Sequence, residues 1–121
     1  MSRTVLYIED DANNVRLMER ILGRREGTTL ATAATGRDGV NTAIDAQPAL
    51  ILLDNRLPDA TGAEVLRQLG SNQATAGIPV IVITGDVDQA TADRLLVGGA
   101  AEIITKPFDI HQFMASLDHY L

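Results

Sequence analysis

Leu50-Ile51-Leu52-Leu53-Asp54 sets four consecutive apolar residues against an ionisable one. A short apolar run without polar alternation is the pattern of a strand covered on both faces. Val5-Leu6-Tyr7-Ile8 repeats that pattern and also ends in acid, at Glu9-Asp10. If these strands are parallel neighbours their C-terminal ends lie side by side, and three carboxylates meet where stability alone would not put them. Further runs at Val80 to Ile83, at Thr28 to Ala33 (weaker) and at Glu102 to Thr105 complete the set of strand candidates.

Helical patterns fill the intervals. After Asp11, a capping residue, Val15, Met18, Ile21 and Leu22 fall at three-four spacing, so they predict an apolar stripe with Asn14, Arg16, Glu19 and Arg20 facing away. Gly23 and Gly27 close this helix. Thr35 to Ala46 predicts a second helix stopped by Pro48, and Thr61-Gly62-Ala63-Glu64 carries the capping-box pattern of a third, through Leu69. A fourth runs from about Asp88 to Val97, before Gly98-Gly99. The last opens near Asp109, with a box-like Asp109/Gln112 pair and with Ile110, Phe113, Leu117 and Leu121 directed inward.

Strand and helix alternate throughout, which predicts α/β architecture: one doubly wound parallel sheet, right-handed crossovers and helices on both faces. The whole chain, 1–121, is expected to be one domain. In such sheets the functional crevice lies at the strand C-termini. Glu9, Asp10, Asp54, Thr84 and Lys106 all stand at such ends.

Composition removes several function classes. Net charge is −6, from 16 acidic against 10 basic residues, and no basic stripe exists, so nucleic acid is not an expected partner. The lack of cysteine excludes disulfides, thiolate nucleophiles and sulfur-ligated metals. The apolar run after Met1-Ser2-Arg3-Thr4 is too brief for a secretory signal or a membrane span, giving a cytoplasmic, membrane-free expectation. Neither a P-loop nor a dinucleotide glycine pattern occurs. His111 and His119 are expected on the surface of the last helix, away from any chemistry.

Two unit charges about 4 Å apart repel by roughly 4 kcal/mol at an effective dielectric of about 20, so converging carboxylates need a counter-charge. An all-oxygen site suits a hard divalent ion, Mg²⁺ first and Mn²⁺ second, with Lys106 as an additional positive group. A carboxylate beside a metal, an ammonium and a hydroxyl has the parts for phosphoryl transfer to Asp54.

Four segments in order make the resemblance specific: Tyr7-Ile8-Glu9-Asp10-Asp11, Leu52-Leu53-Asp54-Asn55-Arg56-Leu57-Pro58-Asp59-Ala60-Thr61-Gly62, Ile83-Thr84-Gly85 and Thr105-Lys106-Pro107-Phe108. Over essentially its whole length the chain resembles the receiver domains of two-component response regulators, chemotaxis-regulator-like. The resemblance implies a flavodoxin-like fold with strand order 2-1-3-4-5 and five helices. It implies Asp54 as phosphoacceptor, Asp10 as direct Mg²⁺ ligand, Glu9 acting through metal-bound water, and the Arg56 backbone carbonyl as a further ligand. Thr84 matches the switch hydroxyl, Lys106 the lysine that pairs with the phosphoryl group, Pro107 a cis bond to Lys106, and Gly85 a position of low bulk. The implied partners are a histidine kinase or a histidine phosphotransfer protein upstream and an unnamed protein downstream. Such a domain is not an enzyme beyond accepting and losing its own phosphoryl group.

Two departures stand out. Ile103 occupies the place of an aromatic switch residue three positions before Lys106, which argues against the usual ring-rotation output. Arg56 and Asp86 are expected to pair across the pocket mouth and tune the lifetime of an aspartyl phosphate. Rival readings are a receiver cut from a hybrid histidine kinase, a non-phosphorylated module, and an aspartyl-nucleophile phosphohydrolase of the haloacid-dehalogenase type. The last of these needs a second Asp two residues after the nucleophile, where this chain has Arg56.

Overall fold

The computed structural model describes residues 3–85 and 87–121. Five strands and five helices alternate: β1 (Arg3–Ile8), α1 (Ala12–Gly23), β2 (Thr28–Ala33), α2 (Gly36–Ala46), β3 (Leu50–Asp54), α3 (Gly62–Gly70), β4 (Val80–Thr84), α4 (Gln89–Val97), β5 (Glu102–Thr105) and α5 (Ile110–Tyr120). All strand pairings are parallel, in the order β2-β1-β3-β4-β5. The strand runs and the expected order are therefore both realised.

Period-two alternation divides the core into two layers. Leu6, Ile8, Ile51, Leu53, Val80 and Val82 point to one side, where Ala43 of α2, Val65 and Leu66 of α3 and Leu95 of α4 cover them. Val5, Tyr7, Leu50, Leu52, Ile81 and Ile83 point to the other, against Met18 and Ile21 of α1 and Phe113 and Leu117 of α5. Leu50 through Leu53 are fully buried, as the unbroken apolar run requires of a strand covered on both faces. Helix α2 lies so close to β1 that a Cβ at Gly39 would stand 2.5 Å from the Ile8 side chain.

The helix starts follow their sequence signals. Asp11, Thr35, Asp88 and Asp109 cap α1, α2, α4 and α5, and Thr61 with Glu64 closes a reciprocal capping box at α3. Asp109 accepts from the His111 and Gln112 backbones without a returning bond, so the box-like pair expected there is a one-way cap.

Two side chains correct the sequence reading. Ile110, expected inward, is 54% exposed: as the first residue of α5 it lies before the turn that packs on the sheet, which Phe113 and Leu117 supply. Asn14, expected to face away, is half-buried and turned toward the end of β1. The first turn of α1 passes directly over that strand end, so a position flanking the apolar stripe still meets protein. No helix among the described residues is long and apolar enough to cross a membrane.

Candidate functional site

Three strand ends build the site. The Glu9 amide donates to Ala33 of β2 at 2.8 Å, which continues the sheet one residue past Ile8 and draws the Glu9 side chain inward to 2% exposure. Asp10 then leaves the sheet and is exposed, and Asp11 caps α1 through the Asn13 amide at 2.8 Å. Asp54, the last residue of β3, is half-buried and lies opposite Ile83 of β4. One carboxylate oxygen from each of Glu9, Asp10 and Asp54 lies within 4.8 Å of the others. The strand-end argument predicted that convergence, and the parallel β1-β3 pairing produces it.

The remaining groups come from β4 and β5. Thr84 ends β4 and is buried, and its carbonyl accepts from the Lys106 amide at 2.7 Å, tying the two strand ends together. The Lys106-Pro107 peptide is cis, as the resemblance implied. Lys106 Nζ lies 3.1 Å from Glu9 Oε1, so in this structure the ammonium is paired with Glu9. Asp54, Arg56, Thr84 and Gly85 line a cavity of about 320 Å³. A Cβ at Gly85 would meet nothing within 4 Å, so packing does not itself require glycine there. Ile103 packs against the core layer shared by α3 and α4. The expected Arg56-Asp86 pair involves Asp86, which lies outside the described residues.

The β3-α3 loop is held by its own backbone and by a clamp. Gly62 donates to Asn55 at 2.9 Å, Leu57 to Ala60 at 3.1 Å, and Arg56 bridges Thr61. Asp59 accepts from the Gly36 and Arg37 amides at 2.7 and 3.0 Å, fastening the loop to the start of α2. Those bonds hold the Asp59 carboxyl below the usual carboxylate range. Sequence reasoning quoted Asp59 within a motif but did not see this clamp, because its partners lie two elements away.

Electrostatics divide the two buried acids. Burial, followed by the hydrogen bond and charge of Glu9, pushes the Asp54 carboxyl up to about 7, with Lys106 pulling the other way. Burial also acts to raise Glu9, but the Asp54 carboxyl, Asn14 and Lys106 outweigh it and leave Glu9 below its ordinary value. The two facing carboxyls thus oppose each other's ionisation, and their surroundings send Asp54 upward and Glu9 downward. Tyr7, beneath them, is held well above the usual phenol range by burial and by Glu9.

A divalent cation fits this donor set. Glu9 Oε2 is buried with no hydrogen-bond partner among the described residues, and Glu9 is one of the three acids whose carboxylate oxygens converge. A hard ion would satisfy that oxygen and offset the charge of the converging carboxylates. Glu9, Asp10 and Asp54 offer carboxylates, and Arg56 has a backbone carbonyl on the adjoining loop.

Comparison with known proteins agrees with the geometry. The family model described as response regulator receiver domain matches residues 5–118. The chain is 29% identical to the polar-differentiation response regulator DivK of Brucella ovis, over 100% of this chain and 98% of the relative. Among solved structures it is similar to the receiver domain of a sensor histidine kinase from Pseudomonas aeruginosa, solved with a magnesium ion coordinated in its active-site cleft. That likeness has a TM-score of 0.88 and 25% identity, covering 99% of this chain and 98% of the other. A chemotaxis response regulator of Vibrio cholerae shares the fold at a TM-score of 0.89 and 22% identity, with 100% of both chains covered.

Proposed function

Because the chain belongs to the response regulator receiver domain family, we propose that it accepts a phosphoryl group on Asp54 from a phosphohistidine of a kinase or phosphotransfer protein, and that the modified pocket changes partner binding. The observation that carries this reading is the meeting of Glu9, Asp10 and Asp54 within 4.8 Å, with Lys106 paired to Glu9 and Thr84 lining a cavity together with Asp54.

A divalent cation, Mg²⁺ by preference, would be held by Glu9, Asp10, Asp54 and the Arg56 carbonyl, and supplies charge neutralisation for the phosphoryl oxygens. Asp54, as the carboxylate, forms its oxygen-to-phosphorus bond as the donor's phosphorus-nitrogen bond breaks. The bonding electron pair stays on the departing imidazole nitrogen. Lys106 leaves Glu9 and pairs with a phosphoryl oxygen, and Thr84 donates its hydroxyl to another. The small Gly85 leaves space for that rearrangement. Because Ile103 is aliphatic, output does not depend on rotation of an aromatic ring at that position.

The Arg56 side chain, exposed at the cavity rim, is in place to restrict water at an aspartyl phosphate. Arg56→Ala is therefore expected to change the dephosphorylation rate. A free-standing regulator and a receiver within a larger kinase share this chemistry. The protein works in the cytoplasm, where kinase domains and Mg²⁺ are available, and it turns over no substrate beyond its own phosphorylation and hydrolysis.

The test is incubation with Mg²⁺ and a small phosphodonor, followed by intact and peptide mass spectrometry. An acid-labile phosphoryl group on Asp54, absent in Asp54→Asn and absent without Mg²⁺, is the expected result. Stable phosphate elsewhere with Asp54 unmodified refutes the assignment, and steady turnover of a generic phosphatase substrate would favour the phosphohydrolase reading.

A further inference from the structure

Tyr7 and Asn14 have no role in the chemistry described so far, yet both end on the same carboxylate oxygen. Asn14 Nδ2 donates to Glu9 Oε1 at 2.7 Å, and the Tyr7 hydroxyl donates to it at 3.3 Å. Lys106 is the third donor to that atom, at 3.1 Å. The other oxygen, Oε2, is buried and receives nothing from the described residues. Three donors on one oxygen of a buried carboxylate set its rotation and leave the other oxygen bare, on a residue that belongs to the acid cluster.

We propose that Tyr7 and Asn14 are positioning residues for the cation site, fixing the Glu9 carboxylate so that Oε2 is presented to the metal. The inference rests on the divalent-cation reading of the acid pocket. Lys106 cannot fill this role alone, because it is the donor that must depart to a phosphoryl oxygen. The two neutral donors stay. They reach Glu9 from different elements, Tyr7 from within β1 and Asn14 from the first turn of α1, so the carboxylate is braced from below and from the side. Groups that bond a metal ligand's second oxygen govern affinity without touching the ion.

Charge and orientation predict opposite results, which makes the proposal testable. Removing a donor leaves Oε1 more negative, and by charge alone that strengthens cation binding. Loss of orientation weakens it. Mg²⁺ alone is titrated into wild type, Tyr7→Phe and Asn14→Ala, following backbone amide resonances by NMR, with the melting temperature of each metal-free protein measured alongside. Asn14→Ala is expected to raise the Mg²⁺ dissociation constant about tenfold, and Tyr7→Phe, which removes the longer bond, about threefold. In a Glu9→Asp background, where the shorter side chain withdraws from both donors, neither substitution should alter affinity further. Should Tyr7→Phe not fold, Asn14→Ala, at a half-buried position in the first turn of α1, carries the test.

Unchanged or tighter Mg²⁺ binding by both variants overturns this proposal while leaving the phosphoacceptor reading intact. Equal losses in the Glu9→Asp background also overturn it, since they would mean a general effect on folding. Wild type that fails to bind Mg²⁺ at all overturns both.

Discussion

Replacing Asp54 with Asn removes a carboxylate whose ionisation opposes folding, so the metal-free variant should be more stable than wild type at neutral pH. Asp54 is displaced from an ordinary 3.8 to about 7 by burial and by Glu9. A carboxyl raised on folding contributes fully below its unfolded value, and that contribution is lost as the pH rises through the folded value. The stability of the metal-free wild type should therefore fall between about pH 4 and about pH 7 through this group. The full displacement corresponds to about 4 kcal/mol at about 1.4 kcal/mol per pH unit. The half-open setting and the opposite displacement of Glu9 reduce it to on the order of 2 kcal/mol. With no tryptophan in the chain, urea unfolding followed by far-ultraviolet circular dichroism is the suitable assay, in EDTA at about pH 5 and about pH 8. The advantage of Asp54→Asn should be small at the lower pH and grow toward the full amount at the higher. Saturating Mg²⁺ should reverse the order, since wild type gains about 2.7 kcal/mol at a hundredfold excess over its dissociation constant and the variant gains less. A stability difference independent of pH, or a variant less stable than wild type in EDTA at the higher pH, would refute the reasoning.

Lys106→Ala leaves the buried Glu9 with only neutral donors, and because the lysine is partly exposed the expected loss is about 1–3 kcal/mol, measured by the same unfolding curves. It should also prevent beryllofluoride from shifting the Thr84 amide, and an unaltered shift would remove Lys106 from the phosphoryl site. Gly39→Ala should destabilise by about 1–3 kcal/mol, because its Cβ would meet the Ile8 side chain at 2.5 Å; a neutral effect in thermal melts would show that α2 yields. Thr61→Ala removes the capping box at α3 and should cost about 1 kcal/mol. Native-state hydrogen exchange should then quicken first at the α3 amides.

Much of the acid site was legible because it follows from one-dimensional signals. An apolar run that stops at an acid marks a buried strand end, and helix-length intervals force those strands to be parallel, so Glu9, Asp10 and Asp54 had to be considered together. Thr84 and Lys106 were legible on the same ground. Asn14 was not, because helical periodicity separates an apolar stripe from polar residues but cannot say that a strand end lies beneath the first turn. Tyr7 was hidden by its own ring: within Val5 to Ile8 it counts as core, which it is, while its hydroxyl serves Glu9. Ile110 misled for the converse reason, since an apolar residue at a helix entry shares the stripe's spacing without reaching the sheet.

By itself the sequence determined the alternation of elements, the parallel sheet and the identity of the acids at its edge. Those depend on periodicity, capping and chain connectivity, all of which are local or follow from short crossovers. Only the tertiary structure decided how the acids are held. Lys106 resting on Glu9, and Asn14 and Tyr7 sharing its Oε1 while Oε2 stays bare, depend on side chains far apart in the chain or turned by their backbone. Burial strengthens such contacts by removing water from around them, and burial exists only after the sheet and its two helical layers have closed.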